Sequence, residues 1–141
     1  MRNTLFSLAG ISVLIGMLIF SCQPKVGIET AQYAVNGQKL YVTHCQSCHG
    51  PKGEGLGMLY PPLTDTTYLK ENRKILPGIV KNGMNGPIKI NEKNYEGNMP
   101  GNPELTNVDI AYILTYITTT FGNSTETYTQ EEVKNNLVNC R

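Results

Sequence analysis

The sequence predicts a small all-α domain in which three to five helices are joined by unusually long loops, and three observations lead there. Helical spacing is present near both ends of the chain, at Gly37, Leu40, Tyr41 and His44 and again at Ile110, Ile113, Leu114 and Ile117. Between these stretches, nine of the 14 glycines and seven of the 8 prolines fall within residues 50–103, which makes that region turns and short pieces. So long an irregular stretch needs a core from elsewhere. The third observation is Cys45-Gln46-Ser47-Cys48-His49: two thiols three positions apart with an imidazole directly after the second, the attachment signature of a c-type haem. One covalently attached haem is expected to supply that core, with the loops wrapped around it.

The spacing has a mechanical reason. Two thiols one helical turn apart can each form a thioether along one edge of a porphyrin, and the adjacent His49 then reaches the iron. Three other chemistries compete for the same residues. A thioredoxin-like pair needs a βαβ context that the flanks lack. A structural zinc site needs a second ligand pair, and only Cys22, His44 and remote Cys140 remain. A plain disulfide leaves His49 without a role.

Composition bounds the rest. The chain has one-domain length, 141 residues, and a formal charge of +1. Removal of Arg2 with a leader leaves 11 basic and 11 acidic residues, which argues against nucleic acid or an acidic membrane surface as main partner. Tryptophan is absent and phenylalanine numbers 3, so the intrinsic core is small and a covalent cofactor would act as a staple.

Residues 1–21 read as a targeting segment, with Arg2 followed by the uncharged run Leu5 to Phe20, 16 residues long and short for a membrane span of about 20. Ile19-Phe20-Ser21-Cys22 resembles the lipobox of bacterial lipoproteins, with Cys22 the lipidated residue. The alternatives are a signal peptide with an incidental cysteine or an uncleaved anchor, and all three place the remainder outside the cytoplasm. Residues 22–33 read as a polar tether and residues 34–122 as the domain, opening with a helix over Ala34–His44. His44 is expected to be a solvent-facing or hydrogen-bonded histidine rather than a ligand.

After His49 the turn-rich Gly50–Gly55 leads to Tyr60-Pro61-Pro62-Leu63. A ligating imidazole usually donates its far N–H to a carbonyl; Pro61 is the candidate, with a plain turn as the alternative. Short helices are expected over Thr66–Glu71 and Pro77–Asn82, the second stopped by Gly83. A small hairpin is expected from Ile88-Lys89-Ile90 through a turn at Asn91–Asn94 to Tyr95. The sixth iron ligand has candidates at Met58, Met84 and Met99. Met99 is preferred, on a rigid loop just before a strong helix start; Met84, in a glycine-flanked loop, is the rival. Thr106–Asp109 has the form of a capping box. The helix behind it carries the Ile110–Ile117 stripe, which is matched to the Gly37/Tyr41 face, and ends near Phe121-Gly122. Residues 123–141 read as a polar linker and a short helix, with Cys140 lacking an evident partner.

Together Cys45–His49, Pro61-Pro62-Leu63, Met99-Pro100 and the helix Val108–Phe121 resemble the class I c-type cytochromes, the monohaem cytochrome c domain, over about Ala34 to Gly122. The resemblance implies a small cytochrome c fold, thioethers to one haem at Cys45 and Cys48, axial iron ligands at His49 and Met99, and a Pro61 carbonyl supporting His49. It implies crossing first and last helices at Gly37/Tyr41 and Ile113/Tyr116. The stretches Lys81–Met84 and Tyr95–Pro100 are similar to compact bacterial members that accompany periplasmic dehydrogenases and reductases.

The expected function is one-electron transfer by a His/Met-ligated haem c, with redox proteins as donor and acceptor and no enzymatic activity of its own. The expected location is a bacterial membrane facing the periplasm, held by the lipid on Cys22. The first alternative is a dedicated haem subunit of one periplasmic oxidoreductase, docked through the tail after Gly122. The second is a haem sensor or peroxidase with a displaceable sixth ligand.

Overall fold

The computed structural model describes residues 26–139. The leader and lipidation expectations at residues 1–22, and Cys140, lie outside these residues. Among the described residues there are six helices, α1 (Ile28–His44), α2 (Gln46–His49), α3 (Thr66–Glu71), α4 (Leu76–Asn82), α5 (Asn107–Thr120) and α6 (Gln130–Asn139). Four short strands accompany them: β1 (Gly83–Met84), β2 (Ile88–Ile90), β3 (Lys93–Tyr95) and β4 (Met99–Pro100). The fold is the expected small, mostly helical one; the sixth helix arises because the chain breaks at Cys45 and resumes as the single turn α2.

Helix α1 starts six residues before the expected Ala34, so part of the stretch read as tether is helix. Its first turns carry little apolar periodicity and are held by tertiary contacts. Thr30 is buried, and its hydroxyl lies 2.6 Å from that of Thr127. Tyr33 stands edge-on to Tyr112 at a centroid distance of 4.7 Å.

Helix α5 is the axis of the molecule, buried from Ile110 to Thr118 on nearly every side. Its start is the expected capping box: the Asp109 N–H donates to the Thr106 hydroxyl, and the Asp109 carboxylate accepts from the Thr106 N–H at 3.0 Å. Side chains three and four apart share a face, and three faces of α5 meet three neighbours. Toward α1, Gly37 sits on the Tyr112 carbonyl and Tyr116 side chain, so close that a Cβ on Gly37 would collide with that carbonyl oxygen. The periodicity singled out the stripe Ile110–Ile117 for this contact; Tyr112, outside that stripe, forms its floor, while Leu114 and Ile117 line a cavity beside Cys45 and His49. Tyr41, fully buried, joins Tyr116 and Phe121 in a three-ring cluster with centroids 5.3 to 5.5 Å apart.

The third face receives the tail. Tyr128 and Val133 are fully buried, and the Tyr128 N–H donates to the Thr115 hydroxyl at 3.0 Å. Arg73 grips the Glu132 carboxylate with two hydrogen bonds of 2.8 Å, donates to the Thr127 carbonyl at 2.9 Å, and stacks 3.9 Å from the centre of the Tyr128 ring. Such a forked pair fixes orientation as well as charge. Residues 123–139 therefore pack against the domain through Tyr128, Val133 and Glu132.

Two small sheets complete the fold. The expected hairpin is present with a tighter turn: Asn91 and Glu92 both have positive φ (48° and 64°), the two-residue connection whose twist suits antiparallel strands, so β3 begins at Lys93. The other sheet pairs β1 with β4, Gly83 opposite Pro100 and Met84 opposite Met99.

Replacing Gly37 by alanine tests the crossing, because propensity and packing predict opposite signs. Helix propensity alone would stabilise the variant by roughly 1 kcal/mol; collision with backbone that cannot rotate away is expected to destabilise it by about 2 kcal/mol. Urea denaturation of the two proteins reads the sign directly.

Candidate haem site

The site is built from the break at Cys45 outward. Cys45 ends α1 with φ −123° and ψ −37°, and its carbonyl accepts from the His49 N–H at 3.0 Å, closing α2 as one turn. That turn puts Cys45, Cys48 and His49 side by side, and the two cysteines are not joined in a disulfide. Burial, then the neighbouring Cys48, pushes the Cys45 thiol up to about 11. Redox-active pairs are marked by depressed thiol values, so Cys45 has the opposite of a thioredoxin-like environment. Among the described residues no three His, Cys, Asp or Glu side chains converge as a metal-binding group of their own.

His49 is buried, and its Nδ1 lies 2.9 Å from the Pro61 carbonyl oxygen. A carbonyl can only accept, so the proton sits on Nδ1 and Nε2 keeps its lone pair. Burial lowers the imidazole's pKa, partly offset by the Pro61 contact, so the neutral ring is favoured. Pro61 is held in place by the loop before it: the Gly55 N–H donates to the His49 carbonyl at 2.8 Å, Leu56 to Tyr60 at 3.0 Å, and Leu63 to Gly53 at 2.7 Å. The Tyr41 hydroxyl donates to the Gly50 carbonyl at 2.6 Å, tying this loop to α1.

Two hollows open from this group and share Cys45, His49, Pro61, Met84, Ile88 and Met99 in their walls. The first continues along the apolar side chains of Leu69, Leu76, Val80, Leu114 and Ile117. The second reaches Cys48, Leu59, Tyr95 and Asn98. A larger polar cleft beside Thr66, Lys70 and Ser124 contains none of the motif residues. Apolar walls with thiols, one neutral imidazole and thioethers as donors suit a large flat apolar group carrying a soft-to-borderline metal. The residues present fit a haem.

The structure brings the preferred residues together: Cys45, His49, Pro61 and Met99 line both hollows, and Cys48 lines the second. Met84 lines it too, on equal terms with Met99. His44 borders the second hollow, with Nδ1 3.5 Å from the Glu104 carboxylate. Met58 is exposed and lines neither hollow.

The family model for cytochrome c matches residues 34–121. The chain belongs to the cytochrome c family. Two cytochromes c-552 of Thermus thermophilus are similar to it, one at 29% identity over 117 residues (77% of each chain) and the other at 29% over 108 residues (70% of this chain, 82% of the relative). This cytochrome c is accordingly a haem electron-transfer protein whose cofactor is a covalently attached haem c, with Cys45 and Cys48 in the C-x-x-C-H motif.

One positioning residue escaped the sequence reading. Asp65 caps α3, accepting from the Tyr68 N–H at 2.9 Å, and its other oxygen accepts from the Asn91 N–H at the hairpin turn at 3.0 Å. It thus pins the lid formed by β2 and β3 beside the cavity. The Asp-Thr-Thr start of α3 carried the cap signal; the link to Asn91, 26 residues on, had none. The Tyr68 and Asn91 N–H groups hold the carboxyl below the usual carboxylate range.

Asp65→Ala is expected to lose about 1 kcal/mol at neutral pH. A folded-state pKa below the unfolded value of about 3.9 means that the contribution is full above that value and fades as pH falls through the folded one. Denaturation curves across pH should show a constant gap between wild type and variant down to about pH 5, closing at lower pH; a gap that widens on acidification contradicts the assignment.

Proposed function

We propose that this cytochrome c is a one-electron carrier in which Cys45 and Cys48 hold the haem by thioethers, His49 and Met99 are the axial ligands, and Cys22 bears a lipid that tethers the domain to a membrane facing the periplasm. The observation that carries the axial reading is that His49, tied to Pro61, and Met99 line both hollows beside the two cysteines. When bound, haem c provides an iron that alternates between ferric and ferrous states.

The protein's own residues set the conditions for that exchange. The Pro61 carbonyl fixes the His49 tautomer and makes its free nitrogen a better donor. A thioether donor such as Met99 favours the reduced state and raises the potential. Leu69, Val80, Leu114 and Ile117 exclude water from the inner wall, lowering the local dielectric. The tether, with redox proteins as donor and acceptor, raises the effective concentration at the membrane.

Exchange needs an approach surface, and the loop after His49 has the character of one. Leu56, Met58 and Leu59 are 56%, 58% and 66% exposed, and Leu59 lies on the rim of the hollow that reaches Cys48. A small apolar rim of this kind suits brief encounters between redox proteins. The tail that a dedicated enzyme subunit would use for docking is packed against Thr115 and Arg73, which favours the free carrier.

Produced with a c-type maturation system, the full chain should give a c-type pyridine haemochrome, and its ferric form the long-wavelength thioether–iron band; a protein without covalent haem contradicts the reading. Cys22→Ala should move the protein from the membrane fraction to the soluble one. The rim is tested without any partner, by electron self-exchange in mixed ferric and ferrous samples followed by NMR. Leu59→Asp should slow self-exchange by about tenfold, the effect of a like-charge penalty near 1.4 kcal/mol.

A further inference from the structure

The ladder between β1 and β4 consists of two residue pairs, and one of them is Met84 opposite Met99. Directly opposed residues of an antiparallel pair point their side chains to the same face, with Cβ atoms about 5 Å apart. Both thioethers accordingly enter the same space, and each of the two hollows counts both among its walls. We propose that Met84 is a second thioether ligand for the iron position assigned to Met99, able to take it when Met99 is withdrawn. The inference rests on the axial reading above and extends it to a residue that reading leaves idle.

The backbone around the pair is built to hold the two at this distance. Gly83 has φ +80°, and a Cβ there would strike the Met99 carbonyl oxygen and lie 2.7 Å from the Gly101 nitrogen, so only glycine lets the strands close. The Asn102 N–H donates to the Val80 carbonyl at 3.1 Å, and the Lys81 ammonium donates to the Pro103 and Leu105 carbonyls at 2.6 and 2.7 Å, anchoring the Gly83–Pro100 end of the ladder. Beyond Met84 residues 85–87 are exposed, and Gly86 has φ +106° with nothing within 4 Å of where a Cβ would stand. Met84 thus sits next to a fixed base at Gly83, and an unbranched side chain with three rotatable bonds can extend toward the metal from there.

Competing donors are placed less well. His44 borders only the second hollow and is engaged with Glu104. Met58 is turned to solvent. Met84 is the remaining thioether among the residues lining both hollows.

The test uses full-length holoprotein as wild type, Met84→Leu, Met99→Ala and the double variant. The readouts are the long-wavelength thioether–iron band of the ferric form and CO uptake by the ferrous form. The band should persist in both single variants, shifted in Met99→Ala, and disappear only from the double variant, which alone should take up CO promptly. Loss of the band in Met99→Ala with retention in Met84→Leu overturns the proposal and leaves Met99 as axial ligand. Loss in Met84→Leu with retention in Met99→Ala overturns both assignments. A wild type without the band overturns the axial reading itself. Should Met99→Ala fail to accumulate haem-loaded protein, Met99→Leu, nearly equal in volume, is read by the same criteria.

Discussion

The structure depends on one close crossing. Helix α1 can approach α5 only because Gly37 presents no side chain to the Tyr112 carbonyl. Once the backbones are that close, Tyr41 is driven among Tyr116 and Phe121, and its hydroxyl reaches Gly50 at the start of the loop after the motif. The crossing therefore sets where α1 ends, and its end is Cys45. A cofactor tied to Cys45 and Cys48 is placed by the same contact that closes the fold. The other faces of α5 complete the arrangement, one turned to the cavity through Leu114 and Ile117 and one covered by Tyr128.

The two sides of the site are held in different ways. His49 is fixed by short-range geometry: a one-turn helix, a buried ring and a carbonyl twelve residues away that accepts its Nδ1 proton. Met99 is held by a two-pair ladder and by contacts from Asn102 and Lys81, with glycine at the point of closest approach. Under the proposed ligation, a donor fixed by Pro61 on one side and a thioether held by the ladder on the other would keep rearrangement between oxidation states small. The lid that carries Ile88 and Ile90 depends on Asp65 bridging α3 and the hairpin turn.

What was legible in the sequence was local. Cys45–His49, the capping box at Thr106, the short helix Thr66–Glu71 and the strand Ile88–Ile90 each carry their signal within a few residues, and each is where the pattern puts it. The rest was hidden because its cause is distant. The first turns of α1 are held by Thr127 and Tyr112, so their own periodicity is weak and the helix reads as tether. Strands of two residues have no pattern of their own, so the pairing that makes Met84 the neighbour of Met99 was invisible, and the two methionines read as rivals. Arg73 carries no local signal, because its partner Glu132 lies 59 residues away. Sites whose chemistry needs adjacent residues were readable from spacing, Pro61, Met99 and the Gly37 crossing came through the family resemblance, and long-range links with neither signal stayed hidden.

The central claim is that the iron of this cytochrome c is bound by one imidazole nitrogen and one thioether sulfur inside the space shared by His49 and the paired methionines. X-ray absorption at the iron edge of the full-length holoprotein measures that directly in both oxidation states. The account predicts a single sulfur in the first coordination shell of ferric and ferrous protein alike, with light-atom scatterers otherwise. A first shell without sulfur, or one that loses it on oxidation, contradicts the account.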